Sequence, residues 1–144
     1  MLINNLYNIL TTIHKDANEP FSGLGLLICE NIKDIPIYPL YNSNFKFSSK
    51  LITEQLLELS SLNNTHHDGF HVLSPTLKIT HIAQYFYPPP FHGQSLDSNK
   101  QYGARYFVAQ AGSKLPNILY SAVVGNNYGI SIFKDGIQVK IHTK

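Results

Sequence analysis

Gly23-Leu24-Gly25-Leu26-Leu27-Ile28-Cys29 is an unbroken apolar run between turn-forming residues. Short runs without polar alternation suit strands buried on both faces, which lie in the middle of sheets covered by helices on each side. The run therefore predicts a central strand. Upstream, Leu2, Leu6, Ile9 and Ile13 recur at three- and four-residue spacing, with Ile3 and Leu10 beside them. That spacing predicts an amphipathic helix ending near Asp16-Ala17-Asn18, before Pro20. Downstream, residues 31–47 carry Pro36, Pro39 and several Asn and Ser residues. They read as loop, with at most a short edge strand around Ile35 to Tyr38.

Helix returns at Ser49, a residue suited to an N-cap, with Ile52, Leu56 and Leu59 on one face and Leu51 and Leu62 near its edges. Phe70 to Leu73 and Leu77 to Phe86 flank Ser74-Pro75-Thr76 as a hairpin, in which Leu77, Ile79, His81, Ala83 and Tyr85 alternate toward one side. Tyr87-Pro88-Pro89-Pro90 stops that strand, and residues 88–102 form the longest irregular stretch. Ala104, Phe107, Val108 and Ala111 then share one helical face, which stops at Gly112. Ile118 to Val124, Ile130 to Phe133 and Ile137 to Ile141 read as three further strands, joined by Gly125-Asn126-Asn127-Tyr128-Gly129 and by Lys134-Asp135-Gly136. This order predicts an α/β fold with a central mixed β-sheet flanked by helices.

Composition bounds the reading further. At 144 residues and 43% apolar side chains, the chain suits one domain covering residues 1–144. Ten lysines and a single arginine give a formal charge of +2 with no basic run, which disfavours binding to a nucleic-acid duplex. Cys29 is the only cysteine, so no internal disulfide forms, and its apolar neighbours predict a buried thiol. The first residues lack the basic region and cleavage site of a signal peptide, and no stretch approaches the roughly 20 apolar residues of a membrane span. A soluble, cytoplasmic chain is the expectation.

Two polar clusters carry chemistry. His66-His67-Asp68-Gly69 sets imidazole and carboxylate at the start of a strand, beside a glycine that permits close approach to the backbone. An Asp hydrogen-bonded within its own turn is the plain alternative. Gly103-Ala104-Arg105-Tyr106-Phe107 places the single arginine in the first turn of a helix, where backbone N–H groups favour an anion. His66, His67, His71, His81 and His92 raise the idea of a divalent-metal site, with His67 and His71 on one face if the strand runs through both, although no cysteine pair accompanies them. Tyr85, Phe86, Tyr87 and Phe91 suit either an adenine stack or ordinary packing.

The order and spacing of these segments resemble the diadenylate cyclase domain family, from about Gly23 to Val139. The first cluster is similar to the family's Asp-Gly-Ala motif, which is usually preceded by His. The resemblance implies that Asp68 would act at the attacking ribose hydroxyl, with His67 near the metal. The family's Gly-Thr-Arg-His-Arg motif corresponds to Gly103-Ala104-Arg105-Tyr106-Phe107, so Gly103 and Arg105 match while two phosphate-gripping residues are replaced. The implied nucleotide-binding residues are Gly69, Gly103, Arg105 and Tyr106.

Gly125-Asn126-Asn127 stands where active members carry Ser-Glu-Glu, leaving His67, Asp68 and Asn126 as the implied metal set for Mg²⁺ or Mn²⁺ accompanying a nucleotide. Phosphoryl transfer depends on positioning and charge neutralisation, and each lost stabiliser costs about 10²-fold, roughly 10⁶ for three. The resemblance thus implies a nucleotide-binding sensor or regulatory domain derived from a diadenylate cyclase, catalytically weak or inactive. Its partners would be an adenine nucleotide or cyclic dinucleotide and a protein that reads occupancy. A divergent cyclase joining two ATP molecules into cyclic di-AMP as a homodimer is the second reading. A protein-interaction scaffold without a nucleotide site is the third.

Overall fold

The computed structural model describes residues 1–42, 50–91 and 101–142. The apolar run becomes β1 (Leu24–Ile28), buried at every position. It is the middle strand of a seven-stranded mixed sheet that also contains β2 (Ile37–Pro39), β3 (Phe70–Leu73), β4 (Ile79–Phe86), β5 (Tyr120–Gly125), β6 (Gly129–Lys134) and β7 (Ile137–His142), in the order β2-β4-β3-β1-β5-β6-β7. β1 runs parallel to β3 and antiparallel to β5, and the remaining pairs are antiparallel. The starts of β1 and β3 and the end of β5 therefore lie at one end of the sheet.

Helices cover both faces. α1 (Leu2–Asp16) and α2 (Ile52–Leu59) bury Leu6, Leu10, Ile13, Leu56 and Leu59 against Leu24, Leu26 and Ile28 of β1 and against β5 and β6. α3 (Gly103–Gly112) covers the other face, where Tyr106 and Ala109 meet Leu27, Phe70, Val72, Val123 and Phe133. Each fully buried aliphatic side chain contributes about 1.5–3 kcal/mol relative to exposure, so β1, apolar on both sides, anchors both layers. The first residue of α2 is Ile52, and Ser49 lies outside the described residues, as do His92 and most of the 88–102 stretch. Cys29 is buried, and burial pushes its thiol up to about 11.

The turn between β6 and β7 follows directly from its residues. Asp135 and Gly136 have φ of 53° and 79°, the left-handed pair of a two-residue hairpin turn that Asp-Gly favours.

Two helical and strand faces differ from expectation. In β4 the pairings Phe70↔Gln84 and Val72↔His81 set two steps on β3 against three on β4, a bulge in which Ala83 adopts φ 50°. The bulge breaks the two-residue period. Ile79, Ile82 and Phe86 are buried, Tyr85 faces solvent, and Leu77 lies in the preceding turn with φ 62°. In α3 the buried residues are Tyr106, Ala109, Gln110, Ala111 and Gly112, so the expected Ala111 is buried while the expected Phe107 is exposed. Polar bonds accompany this shift. Gln110 Nε2 donates to Gly136 O at 3.3 Å, and Ser113, just past the helix, accepts from the Gly136 N–H at 2.8 Å.

His67 and His71 do not share a strand face, because β3 begins only at Phe70. Of the aromatic run, Phe86 packs in the core against Phe70, whereas Tyr85 and Tyr87 stack on each other at an exposed position.

Candidate functional site

Arg105 bridges the two polar clusters. Its side chain lies along the glycine side of β1. A Cβ built on Gly23 would come within 2.6 Å of Arg105 Nη1, and one on Gly25 within 3.1 Å of Arg105 Cδ. Gly23 also has φ 96°, a conformation costly for other residues. Through this channel Arg105 Nη1 donates to the Ser22 carbonyl at 3.0 Å. The Ser22 hydroxyl in turn lies 2.9 Å from His67 Nδ1. The clusters that the sequence set far apart thus meet through one serine, which carries no motif of its own. The signal for it was Gly23-x-Gly25, two missing side chains on one side of a buried strand.

Asp68 is exposed, and its Oδ1 accepts the Gly69 N–H at 3.0 Å, the contact of the plain turn reading. Gly69 has φ 81°, and a Cβ there would meet the Gln84 carbonyl oxygen at 2.5 Å. Its close approach is therefore to β4. Gly103 differs, because no described atom lies within 4 Å of the position its Cβ would take. Asn126 and Asn127 are exposed in the turn between β5 and β6, at the same end of the sheet. Asn127 Nδ2 reaches Gln101 Oε1 at 3.5 Å, the outer limit of a hydrogen bond, which ties that turn to the residues entering α3.

Tyrosines surround the arginine. Tyr106 is buried, with its ring against Tyr128 and Phe133 at centroid distances of 5.2 Å each, so it packs as core where a ligand contact was expected. Burial pushes the Tyr128 hydroxyl up to about 12, outweighing the opposing effect of Arg105. It remains a neutral donor at physiological pH. Tyr102, half-buried, stacks over Tyr128 at 6.3 Å, and exposed Phe107 lies 6.0 Å from Tyr102.

His67, Asp68 and Asn126 offer one imidazole, one carboxylate and one amide, a sparse set that water or a ligand's phosphates would have to complete around a divalent cation. Magnesium usually keeps several waters and takes one or two carboxylates plus a substrate's phosphates, whereas zinc takes converging imidazoles and thiolates. Here Asp68 Oδ1 accepts from Gly69 and His67 Nδ1 meets Ser22, bonds that do not involve Asp68 Oδ2 or His67 Nε2, and Asn126 is uncharged. Among the described residues no three His, Cys, Asp or Glu side chains come together as a metal-holding group.

His71 is fully buried in β3, and its Nδ1 accepts the Ala83 N–H at 3.0 Å. That bond places the ring proton on Nε2, which has no partner among the described residues. Burial first, then the charge of Arg105 and the neighbouring His66, lowers the His71 pKa to about 3.

These elements define a class, a single α/β domain with a mixed sheet between two helical layers and a polar cluster at one end. No family model matches the chain, and no curated protein matches it in sequence. Solved structures do match. A hypothetical membrane spanning protein from Bacillus cereus superimposes with a TM-score of 0.67 at 18% identity, over 94% of this chain and 63% of that one, so this chain spans less than two thirds of its length. DacA from Staphylococcus aureus, as a double cysteine variant, superimposes with a TM-score of 0.61 at 18% identity, over 98% of this chain and 86% of that one. The chain has a DacA-like α/β fold. Among the described residues no helix is long and apolar enough to cross a membrane.

Proposed function

We propose that this chain is a nucleotide-binding sensor or regulatory domain derived from a diadenylate cyclase, with little or no turnover of its own. The observation that carries this reading is the seating of Arg105 over Gly23 and Gly25, tied through Ser22 to the His67-Asp68-Gly69 turn, within a DacA-like sheet. A guanidinium held by packing offers a preorganised phosphate contact, worth about 1.5–3 kcal/mol when charge-assisted. Gly103 has no described atom within 4 Å of the position a Cβ would take, Gly69 shapes the turn that presents Asp68, and Tyr106 packs behind the arginine. A protein partner would read the occupied site.

Weak turnover follows from the same inventory. Asp68 is the one carboxylate in the two polar clusters, and Asn126 and Asn127 of the β5–β6 turn are uncharged. Electrostatic stabilisation is usually the largest contribution to such catalysis, and little of it is present. Calorimetric titration of the chain with adenine nucleotides, repeated with Arg105→Ala, tests the reading. Binding that falls at least about tenfold in the variant supports it. Equal affinities would sink it.

The intact His67-Asp68-Gly69 turn favours residual cyclase activity as a second reading. Incubation with ATP and Mn²⁺ or Mg²⁺, with products identified by mass spectrometry, decides it. Cyclic di-AMP from the native chain and none from Asp68→Asn would establish an enzyme.

A further inference from the structure

Resting on the nucleotide-binding reading, we infer that Tyr128 is a second phosphate contact, its hydroxyl and the Arg105 guanidinium standing at neighbouring positions on a floor of glycine backbone. The floor comes from strand register. β1 and β5 are antiparallel, with Leu24 opposite Val124 and Gly25 opposite Val123. One step beyond, Gly23 and Gly125 face each other where the two strands end. A Cβ on Gly23 would also come within 3.0 Å of Val124 O, the carbonyl of the peptide that leads into Gly125. Directly opposed residues of such a pair stand about 4.5–5.5 Å apart at Cβ and share a face of the sheet. Gly23, Gly25 and Gly125 thus leave one bare patch of main chain on the side that α3 covers.

Two side chains lie on that patch. Arg105 Nη1 would stand 2.6 Å from a Cβ on Gly23, and Tyr128 Cζ, Cε2 and OH would stand 2.5, 2.7 and 2.8 Å from a Cβ on Gly125. The hydroxyl end of the ring is the part that meets the glycine, so the phenol oxygen rests on the backbone as the guanidinium does. Tyr106, on the same helix as Arg105, meets the Tyr128 ring edge-on at 5.2 Å and fixes its plane. The charge of Arg105 is felt at the Tyr128 hydroxyl, yet burial outweighs it and the phenol keeps its proton.

The pair matches a phosphoryl group in its chemistry. Arg105 commits Nη1 to the Ser22 carbonyl, and its planar fork carries further N–H donors. A phosphoryl group presents several acceptor oxygens, so one can accept from the guanidinium and another from the phenol. The second bond is charge-assisted from the phosphate side, although Tyr128 itself is neutral. A floor without side chains lets the anion come close to both donors.

The test is calorimetric titration of the full chain with ATP and with inorganic phosphate, in the native protein, Tyr128→Phe and Arg105→Ala. Tyr128→Phe keeps the ring on Gly125 and against Tyr106 and removes only the hydroxyl. It should weaken both ligands about fivefold or more. Arg105 is the only arginine of the chain, so modification by phenylglyoxal, followed by intact mass, reports on its seat alone. The ligand-free modification rate of Tyr128→Phe should match the native rate. A rate that rises severalfold would make Tyr128 a support for the arginine rather than a phosphate contact, and would overturn the inference. Equal affinities in the native protein and Tyr128→Phe, with binding lost in Arg105→Ala, would also overturn it and leave the nucleotide reading standing. Inorganic phosphate that binds and is weakened by Tyr128→Phe, with no binding of ATP, would uphold the two-donor seat and sink the nucleotide reading. No binding of either ligand by the native protein would remove both.

Discussion

The N–H of Ala83 is bonded to Nδ1 of His71 at 3.0 Å, so a histidine fills the hydrogen-bonding gap that the bulge in β4 opens. The side chain replaces a missing ladder partner, and the imidazole must stay neutral to do so.

Stability should therefore fall on acidification. The folded-state pKa of His71 is lowered to about 3 from an ordinary 6.5, so between these values the unfolded chain binds a proton that the folded chain does not. Stability is full above about pH 6.5 and is lost as pH falls, with a slope approaching about 1.4 kcal/mol per pH unit from this group. Urea unfolding at pH 7, 6 and 5 measures it. His71→Gln, which cannot titrate, should flatten the slope, and an unchanged slope would rule out His71 as its source.

Gly25→Ala should destabilise the fold by about 1–3 kcal/mol. The added Cβ would lie 2.9 Å from Phe70 Cε2 and 3.1 Å from Arg105 Cδ, in a strand buried on both faces. Chemical denaturation measures the loss. Nucleotide titration of the same variant should show weaker binding, since Arg105 must leave its seat.

Ser22→Ala removes the hydroxyl that meets His67 and keeps the carbonyl that accepts from Arg105. The expected cost is about 0.5–1.5 kcal/mol of stability, with phosphate affinity little changed. A large loss of affinity would mean that the His67 contact, rather than the carbonyl, holds the arginine in place.

Asp68→Asn should leave stability within about 0.5 kcal/mol, because an amide oxygen still accepts the Gly69 N–H and the position is exposed. Nucleotide affinity should rise, as a negative charge is removed from the phosphate's surroundings. Thermal unfolding and titration check the two halves separately.

Much of the fold was legible because its strongest signals are local. The run from Gly23 to Cys29 identifies the central strand by unbroken apolarity, and Asp135-Gly136 identifies a hairpin by turn chemistry. The packed face of α3 was not legible. Gln110 and Ser113 are buried through bonds to Gly136, a residue far along the chain, and apolar periodicity is blind to such anchors. The β4 faces were misjudged for a related reason, since a bulge is set by the partner strand. At the site, Asp68 and Arg105 stand out by residue type. Ser22 does not, because it acts through a main-chain oxygen that every residue has, and Tyr106 turned out to be a core side chain.

The central placement of β1 also bears on how the molecule comes into being. Its parallel neighbour is drawn from the middle of the chain and its antiparallel neighbour from the last third. Neither pairing is local, and both must close large loops before any contact rewards them. Arg105 finds its glycine channel only after the strand is flanked. During synthesis the nascent chain therefore has no pocket to occupy until most of it has left the ribosome. A ligand of the finished site would then act late, as a weight on the completed fold rather than a template for making it.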